Sequence, residues 1–262
     1  MTITAPTTKI TVLGCGSAGG VPMVSWGWGN CDPNNPKNRR LRPSILVERG
    51  GTTVLVDTTP DLREQLLRSQ TRRIDAVFYT HEHADHVHGL DDLREINRAM
   101  QAPIPVYAAP HVLTELEKRF GYAFAPFDPG KYPIYKPWLE PHAITGPFRV
   151  GEVEAIPFEQ DHGYTTSLGF RFGDMAYCTD VVNLDEAAFT VLAGVRTWIL
   201  CCFTDKPHQT HVHLDKALEW IERLKPERTY LTHMGPKLDY DTLRSRLPAG
   251  VEPAYDGLIL QV

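Results

Sequence analysis

The stretch that decides the fold is residues 80–89, with the sequence T-H-E-H-A-D-H-V-H-G. It follows an apolar run at 74–79 that predicts a buried strand, and it precedes a segment at 90–100 whose apolar residues recur at helical spacing. Side chains on such a strand-to-helix loop converge on a small volume, and imidazole and carboxylate are ligands that Zn²⁺ and Mn²⁺ accept. His81 and His83 form one pair, and Asp85 and His86 form a second. The spacing favours two neighbouring metal ions over one.

Three more candidate ligands follow predicted strands further along the chain. His162 comes after the apolar alternation at 153–158, Asp180 follows 176–179, and His233 follows 230–232. Histidines and aspartates at strand ends are common one at a time. Three of them in this order, each just after a predicted strand, argue against coincidence, and the family resemblance described next implies that they complete the metal site.

The H-x-H-x-D-H motif at 81–86 resembles the signature of the metallo-β-lactamase superfamily, and the resemblance runs from a glycine-rich turn at 14–22 to residues 254–257. From the residues alone the prediction is an α/β protein with mixed sheets. The resemblance implies the αββα sandwich, in which two mixed β-sheets are flanked by helices. We expect a single domain over 1–262, with a proline- and aromatic-rich insertion at 121–147 that shapes a pocket or a subunit contact.

The resemblance also implies how seven ligands divide between two divalent metal ions, Zn or Mn. The first ion takes His81, His83 and His162, the second takes Asp85, His86 and His233, and Asp180 bridges them. Asp57 matches the superfamily's structural aspartate, which orients the metal-binding loop. Members that carry out iron redox chemistry have glutamate where this chain has His83, so the motif favours hydrolysis.

The segment 205–215, D-K-P-H-Q-T-H-V-H-L-D, resembles the phosphodiesterase branch of the superfamily, which includes ribonuclease Z and the cyclic-phosphate diesterase of the carbon–phosphorus lyase pathway. His211 matches the branch histidine that contacts phosphate and acts as general acid. The implied reaction is attack on a small phosphodiester, cyclic or nucleotide-derived, by a hydroxide held between the metals. In it Asp85 orients the hydroxide and His211 protonates the leaving oxygen.

Two other functions are open at this stage. A lactone or thioester hydrolase of the same fold would act on acyl substrates without needing His211. A non-hydrolytic metal- or ligand-binding protein of a biosynthetic pathway would bind one metal ion or none. Ribonuclease Z itself is disfavoured, because the insertion at 121–147 has only two lysines instead of a long basic arm. The diesterase of the carbon–phosphorus lyase pathway holds a structural zinc through several cysteines after the opening turn; this chain has only Cys31 there, which predicts that the zinc is absent.

Composition narrows the remaining classes. The net charge is −5 with a pI near 6.1, so tight nucleic-acid binding is not expected. Residues 1–9 contain no secretory segment and no apolar run is long enough for a membrane span. Five cysteines without a C-x-x-C motif argue against a disulfide framework. We expect a cytoplasmic protein, for which a homodimer is one possible state.

Three features keep two interpretations each. The turn at 14–22 provides either tight backbone packing or a substrate contact. The cluster of Arg39, Arg40 and Arg42 either meets an anion or is a solvated charge run. His208 and His213 either support the site or lie on the surface.

Overall fold

Residues 7–262 are described by the computed structural model, and their strands form two seven-stranded sheets. The expectation of no secretory segment falls largely on residues 1–6, which lie outside the described residues. In the first sheet the strands follow the order β14-β1-β2-β3-β4-β5-β6. They are β1 (Lys9–Gly14), β2 (Ser44–Arg49), β3 (Thr52–Val56), β4 (Ala76–Phe78), β5 (Ile104–Ala108), β6 (Leu139–Ala143) and β14 (Ile259–Gln261).

The second sheet has the order β13-β12-β11-β10-β9-β8-β7. Its strands are β7 (Phe148–Val150), β8 (Val153–Asp161), β9 (Thr166–Phe172), β10 (Met175–Cys178), β11 (Thr197–Cys201), β12 (Arg228–Thr232) and β13 (Val251–Pro253). The helices are α1 (Leu62–Ser69), α2 (Ala84–Val87), α3 (Leu93–Met100), α4 (Pro110–Phe124), α5 (Glu186–Leu192), α6 (Leu214–Leu224) and α7 (Tyr240–Arg246). None of these helices of the described chain is long and apolar enough to cross a membrane.

Both sheets are mixed, and the connections explain why. Short turns join antiparallel neighbours, such as β2 and β3, where Gly50 and Gly51 adopt positive φ angles of 55° and 85°. Parallel neighbours need a helix crossover. Helix α1 connects β3 to β4, α4 connects β5 to β6, α5 connects β10 to β11, α6 connects β11 to β12, and α7 connects β12 to β13. The predicted α/β class with two mixed sheets flanked by helices is therefore confirmed.

The two sheets pack face to face through large apolar side chains. Phe78 of the first sheet lies 5.6 Å from Phe170 and 6.4 Å from Phe172 of the second, measured between ring centroids, and all three rings are buried. A single cluster of buried residues includes side chains from both sheets. Burial of this apolar area is the main stabilising contribution to the sandwich.

The segment predicted as an insertion without periodicity, 121–147, contains regular structure at both ends. Its first residues complete α4, and Leu139–Ala143 forms β6, which pairs in parallel with β5. Most of β6 is exposed, so its residues have no apolar alternation that could have revealed a strand. Between these elements, Phe127 packs against Trp138 at 5.2 Å and Arg98 Nε donates to Ile134 O at 2.7 Å.

Candidate metal centre

The candidate centre lies where strands from both sheets end. The loop after β4 carries His81 and His83, and the short helix α2 that follows carries Asp85 and His86. His162 follows β8, Asp180 follows β10 and His233 follows β12. The structure brings these seven side chains together in two groups. The first group is His81, His83, His162 and Asp180. The second group is Asp85, His86, Asp180 and His233. Within each group the potential ligand atoms all lie within 4.8 Å of one another.

Backbone conformation directs several of these side chains inward. Asp180 and His233 have positive φ angles of 48° and 56°, and Asp57, which follows β3, has a φ of 65°. Such conformations cost non-glycine residues about 1–3 kcal/mol each and persist where surrounding contacts impose them. The other positive-φ residues that are not glycine, Gln70, Gln101 and Lys225, end helices, where this conformation is common. Among residues 7–262, the non-glycine residues with positive φ outside helix ends therefore all lie at the candidate centre.

Asp180 is the residue that the two groups share, and its two oxygens face different groups. Oδ2 lies 3.8 Å from His81 Nε2 and 3.6 Å from His162 Nε2. Oδ1 lies 3.2 Å from His86 Nε2 and 3.0 Å from His233 Nδ1. A carboxylate in this position can bridge two cations, as the sequence predicts for Asp180.

Two of the imidazoles, those of His86 and His162, are held from outside by hydrogen bonds on their second nitrogens. His86 Nδ1 lies 2.7 Å from Asp57 Oδ2, and Asp57 also accepts from the Thr80 backbone N–H and hydroxyl, each at 2.8 Å. His162 Nδ1 lies 2.8 Å from the Thr210 carbonyl oxygen. This arrangement, in which an outer partner fixes each ring and leaves the other nitrogen facing inward, is typical of metal-ligating histidines.

The inward atoms fit a metal site by a second criterion. His81 Nε2, His86 Nε2, both ring nitrogens of His233 and Asp85 Oδ2 are buried without a hydrogen-bond partner in the part of the chain that the structure describes. Buried polar atoms without partners are costly, and metal coordination satisfies them. The donor set of five imidazoles and two carboxylates suits Zn²⁺ or Mn²⁺. The role of these residues as ligands stays a prediction.

Electrostatics at the centre favour positive charge. Burial lowers the pKa of His81 well below its ordinary value and that of His233 to about 3, so both rings are neutral, as ligation requires. Burial also opposes a charge on His86, but the carboxylates of Asp180, Asp85 and Asp57 outweigh it and raise the pKa of His86 well above the ordinary value. The same carboxylates stabilise a cation at this point, whether it is a proton or a metal ion.

His211 lies beside the two groups, not within either. Its Nε2 is 3.2 Å from Asp180 Oδ2, its ring stacks on that of His233 at 4.7 Å, and its side chain is 14% exposed. The other nitrogen, Nδ1, lies 2.8 Å from the Thr210 hydroxyl. The ring is thus fixed at one end and borders both the cluster and solvent, which is the position that a proton donor needs.

Two residues that contact the candidate centre, Thr210 and Phe203, were not predicted from the sequence. Thr210 contacts His162 through its carbonyl and His211 through its hydroxyl. Phe203 packs its ring 5.2 Å from His211 and 4.9 Å from His208. Neither has a motif of its own, although Thr210 is next to the predicted acid in sequence. His208 is exposed, and its Nδ1 lies 3.3 Å from the Thr210 hydroxyl.

Neither interpretation of the arginine cluster fits Arg40, which is 1% exposed. Its Nη2 donates to Leu238 O at 2.7 Å and to Asn38 Oδ1 at 3.2 Å, and its Nη1 donates to Gly235 O at 3.4 Å. Arg40 therefore ties the segment that follows His233 to the loop before β2. The expectation of a solvated run or an anion site is wrong for this residue, because two of its partners, Gly235 and Leu238, lie almost 200 positions away in sequence.

The first residues of the glycine-rich turn at 14–22 favour tight backbone packing over a substrate contact. A Cβ placed on Gly14 would lie 2.0 Å from the Arg42 carbonyl oxygen, and one on Gly16 would lie 2.9 Å from the Arg40 carbonyl oxygen. Gly16 also pairs with Met234, next to His233. Tight backbone packing at these two positions therefore places the turn against the candidate centre.

Comparison with known proteins agrees with this geometry. Residues 52–234 match the model of the Beta-lactamase superfamily domain. A solved structure described as a diphosphatase from the PhnP family is 37% identical, with a TM-score of 0.88, and the match covers 98% of this chain and 97% of that one.

Two curated relatives match over only part of their own length. An octanoyltransferase of Porphyromonas gingivalis is 32% identical over 257 residues, which are 95% of this chain and 51% of that protein. A ribonuclease Z of Bradyrhizobium sp. is 42% identical over 60 residues, which are 22% of this chain and 20% of that protein. The chain thus spans about half the length of the first relative and matches about a fifth of the second.

The family model covers well over half of the chain, and the PhnP-family structure matches it almost from end to end. The chain therefore belongs to the metallo-β-lactamase superfamily and, within it, to the PhnP family.

Proposed function

We propose that this protein is a metal-dependent hydrolase that cleaves a small phosphodiester, with His211 as general acid. The observation that carries the proposal is the position of His211, whose Nε2 lies 3.2 Å from the shared carboxylate Asp180 at the edge of the two His/Asp groups. An acyl-ester hydrolase needs no such second acid beside its metal ligands. A phosphodiester with a poor leaving group does, because the departing alkoxide must be protonated.

The seven residues of the two groups would hold two divalent cations, of zinc or manganese type, with Asp180 shared between them. When bound, such ions neutralise phosphoryl oxygens and lower the pKa of water so that it can act as a nucleophile. Asp85, whose Oδ2 has no hydrogen-bond partner in the described chain, would orient that nucleophile.

The chain's own residues then position the proton. When His211 carries the proton that a general acid needs, its Nδ1 donates to the Thr210 hydroxyl and its Nε2 faces the cluster. Stacking on His233 and packing against Phe203 fix the plane of the His211 ring. A pre-oriented imidazole of this kind contributes about 10²–10⁴-fold to proton-transfer steps.

The names of two relatives support phosphorus chemistry. The PhnP-family structure is described as a diphosphatase, and a 60-residue segment resembles ribonuclease Z. A diphosphate bond is therefore a second candidate. Its bridging oxygen, like the leaving ester oxygen of a phosphodiester, departs as an anion that an acid can protonate. A small substrate is favoured over tRNA, because net charge is −5 and residues 121–147 contain only two lysines.

Acyl chemistry is the competing class, and the name of the octanoyltransferase relative points to it. Covalent acyl transfer would need an accessible nucleophile such as a thiolate. All five cysteines are buried, and burial raises the pKa of each of the five thiols. A lactone or thioester hydrolase that uses the same metal ligands is the acyl alternative that an assay has to separate.

The test compares substrates and variants of the protein loaded with Zn²⁺ or Mn²⁺. We expect turnover of cyclic and linear phosphodiesters and none of lactones or thioesters. His211→Ala should lower kcat on an alkyl phosphodiester by about 10²-fold or more, with a smaller loss on an aryl diester whose leaving group needs no proton. His142→Ala is the matched control, because His142 lies on the exposed edge strand β6 and stacks only on Tyr107. An unchanged alkyl rate in His211→Ala would overturn the assignment of the acid, and turnover of acyl substrates alone would overturn the function.

A further inference from the structure

A short hairpin presents an exposed indole near the candidate centre. Met23 and Gly27 exchange two backbone hydrogen bonds, each of 2.8 Å, which close a tight loop. The ring of Trp26 at its tip is 58% exposed, and the neighbouring Val24 is fully exposed. The indole is therefore held by an ordered turn and is more than half exposed.

The loop that carries Trp26 is fixed to the segment that follows His233. The backbone N–H of Asn30 donates to Pro236 O at 2.8 Å. A Cβ on Gly29 would lie 2.5 Å from the same oxygen, so this close approach depends on glycine with its φ of 55°. The hairpin thus borders the segment 234–238, which begins next to a predicted metal ligand.

One basic group lies beside Trp26 and another lies beside the predicted acid. Lys237 Nζ is 5.4 Å from the centre of the Trp26 ring, and across residues 7–262 no carboxylate lies within ion-pair distance of it. His208 has its Nδ1 3.4 Å from His211 Nδ1. Phe203 links the two groups, because its carbonyl oxygen accepts from the Gly235 backbone N–H at 3.0 Å and its ring lies 4.9 Å from that of His208.

We propose that Trp26, Lys237 and His208 form a subsite for the leaving-group side of the substrate, and that this group is a nucleotide. The inference rests on the proposed function, since His211 protonates the leaving oxygen and the subsite adjoins His211. The base stacks on the indole of Trp26, because every base has a π face that an aromatic side chain accepts. The ammonium of Lys237 and the imidazole of His208 contact the phosphate of the leaving nucleotide.

Binding of AMP and of ribose 5-phosphate to the metal-loaded protein tests the subsite. The two ligands share the phosphate and the sugar and differ in the base. We expect AMP to bind about 10-fold or more tightly than ribose 5-phosphate by calorimetry, with quenching of tryptophan fluorescence by AMP. In Trp26→Ala this preference should fall to about twofold or less, and Trp26→Phe should retain part of it.

Lys237→Met should weaken binding of AMP and ribose 5-phosphate by the same factor, because it removes a phosphate contact and no base contact. Tyr135→Ala is the matched control, since Tyr135 is an equally exposed aromatic residue on the segment between α4 and β6. Equal affinities for AMP and ribose 5-phosphate in the parent protein, or an unchanged AMP preference in Trp26→Ala, would overturn the subsite.

Hydrolysis assays separate this inference from the proposed function. Tight, Trp26-dependent AMP binding without phosphodiester turnover would support the subsite and contradict the function. Phosphodiester turnover without any preference for a base would overturn the subsite alone.

Discussion

Replacing Arg40 by methionine should destabilise this protein by about 3 kcal/mol, although an arginine-rich run would ordinarily be expected on the surface. Arg40 is 1% exposed and donates to Leu238 O, Gly235 O and Asn38 Oδ1. Methionine fills much of the same volume but donates nothing. The substitution therefore isolates the hydrogen bonds of the guanidinium.

The magnitude follows from what each acceptor retains. Gly235 O still accepts from the Leu238 N–H, and Asn38 Oδ1 still accepts from the Tyr240 N–H, so each of these acceptors loses about 0.5–1 kcal/mol. Leu238 O loses a short bond of 2.7 Å from a charged donor, worth about 1.5–3 kcal/mol. The sum is about 2.5–5 kcal/mol, and its lower part, about 3 kcal/mol, corresponds to a fall of roughly 6–12 °C in Tm for a chain of this size.

Thermal and urea unfolding of the parent, Arg40→Met and Arg40→Lys measure this effect. A lysine ammonium can replace only part of the guanidinium fork, so Arg40→Lys should fall between the other two. Arg39→Met is the matched control, because Arg39 is exposed and only faces the ring of Trp28, and its effect should stay within about 0.5 kcal/mol. If Arg40→Met and Arg39→Met both unfolded within about 2 °C of the parent, the structural role of Arg40 would be refuted.

Three further predictions concern a ring support, a hydroxyl and a buried acid. Asp57→Asn should weaken metal binding about 10–100-fold in a chelator competition, because Asp57 Oδ2 contacts His86 Nδ1 at 2.7 Å; unchanged affinity would contradict its role. Thr210→Val should lower kcat on alkyl phosphodiesters more than on aryl ones, because it removes the hydroxyl 2.8 Å from His211 Nδ1. Thr210→Ser should retain the ratio of alkyl to aryl kcat of the parent, and an equal loss on both substrates would argue for a merely structural effect. Burial raises the pKa of Asp256 to about 7, so the folded state holds this proton more tightly than the unfolded chain and stability from this group falls as pH rises from about 4 to 7. Asp256→Asn should therefore gain about 2–3 kcal/mol relative to the parent between pH 5 and pH 8 in urea unfolding, whereas a pH-independent difference would contradict the raised pKa.

Much of the architecture could be predicted from the sequence because its signals are local. The run at 80–89 combines a strand end, a helix start and a dense set of imidazoles within ten residues. His162, Asp180 and His233 each follow a recognisable strand, and the edge where these strands end is where the structure brings them together. A mixed sheet likewise follows from turns and helices that alternate along the chain.

The strand β6 could not be predicted, because four of its five residues are exposed and leave no apolar alternation. Its place beside β5 depends on pairing through backbone groups, which carry no sequence signal.

By itself, the sequence determined the chemistry at this centre: which residues can ligate a metal, the order in which they occur, and the strands that present them. Only the tertiary structure decided that the two oxygens of Asp180 face different groups, that Thr210 holds both His162 and His211, and that Arg40 is buried. The reason is distance along the chain. The Gly235 and Leu238 carbonyls that Arg40 binds lie 195 and 198 positions away, and Thr210 contacts His162 across 48 positions, so no local pattern contains these contacts.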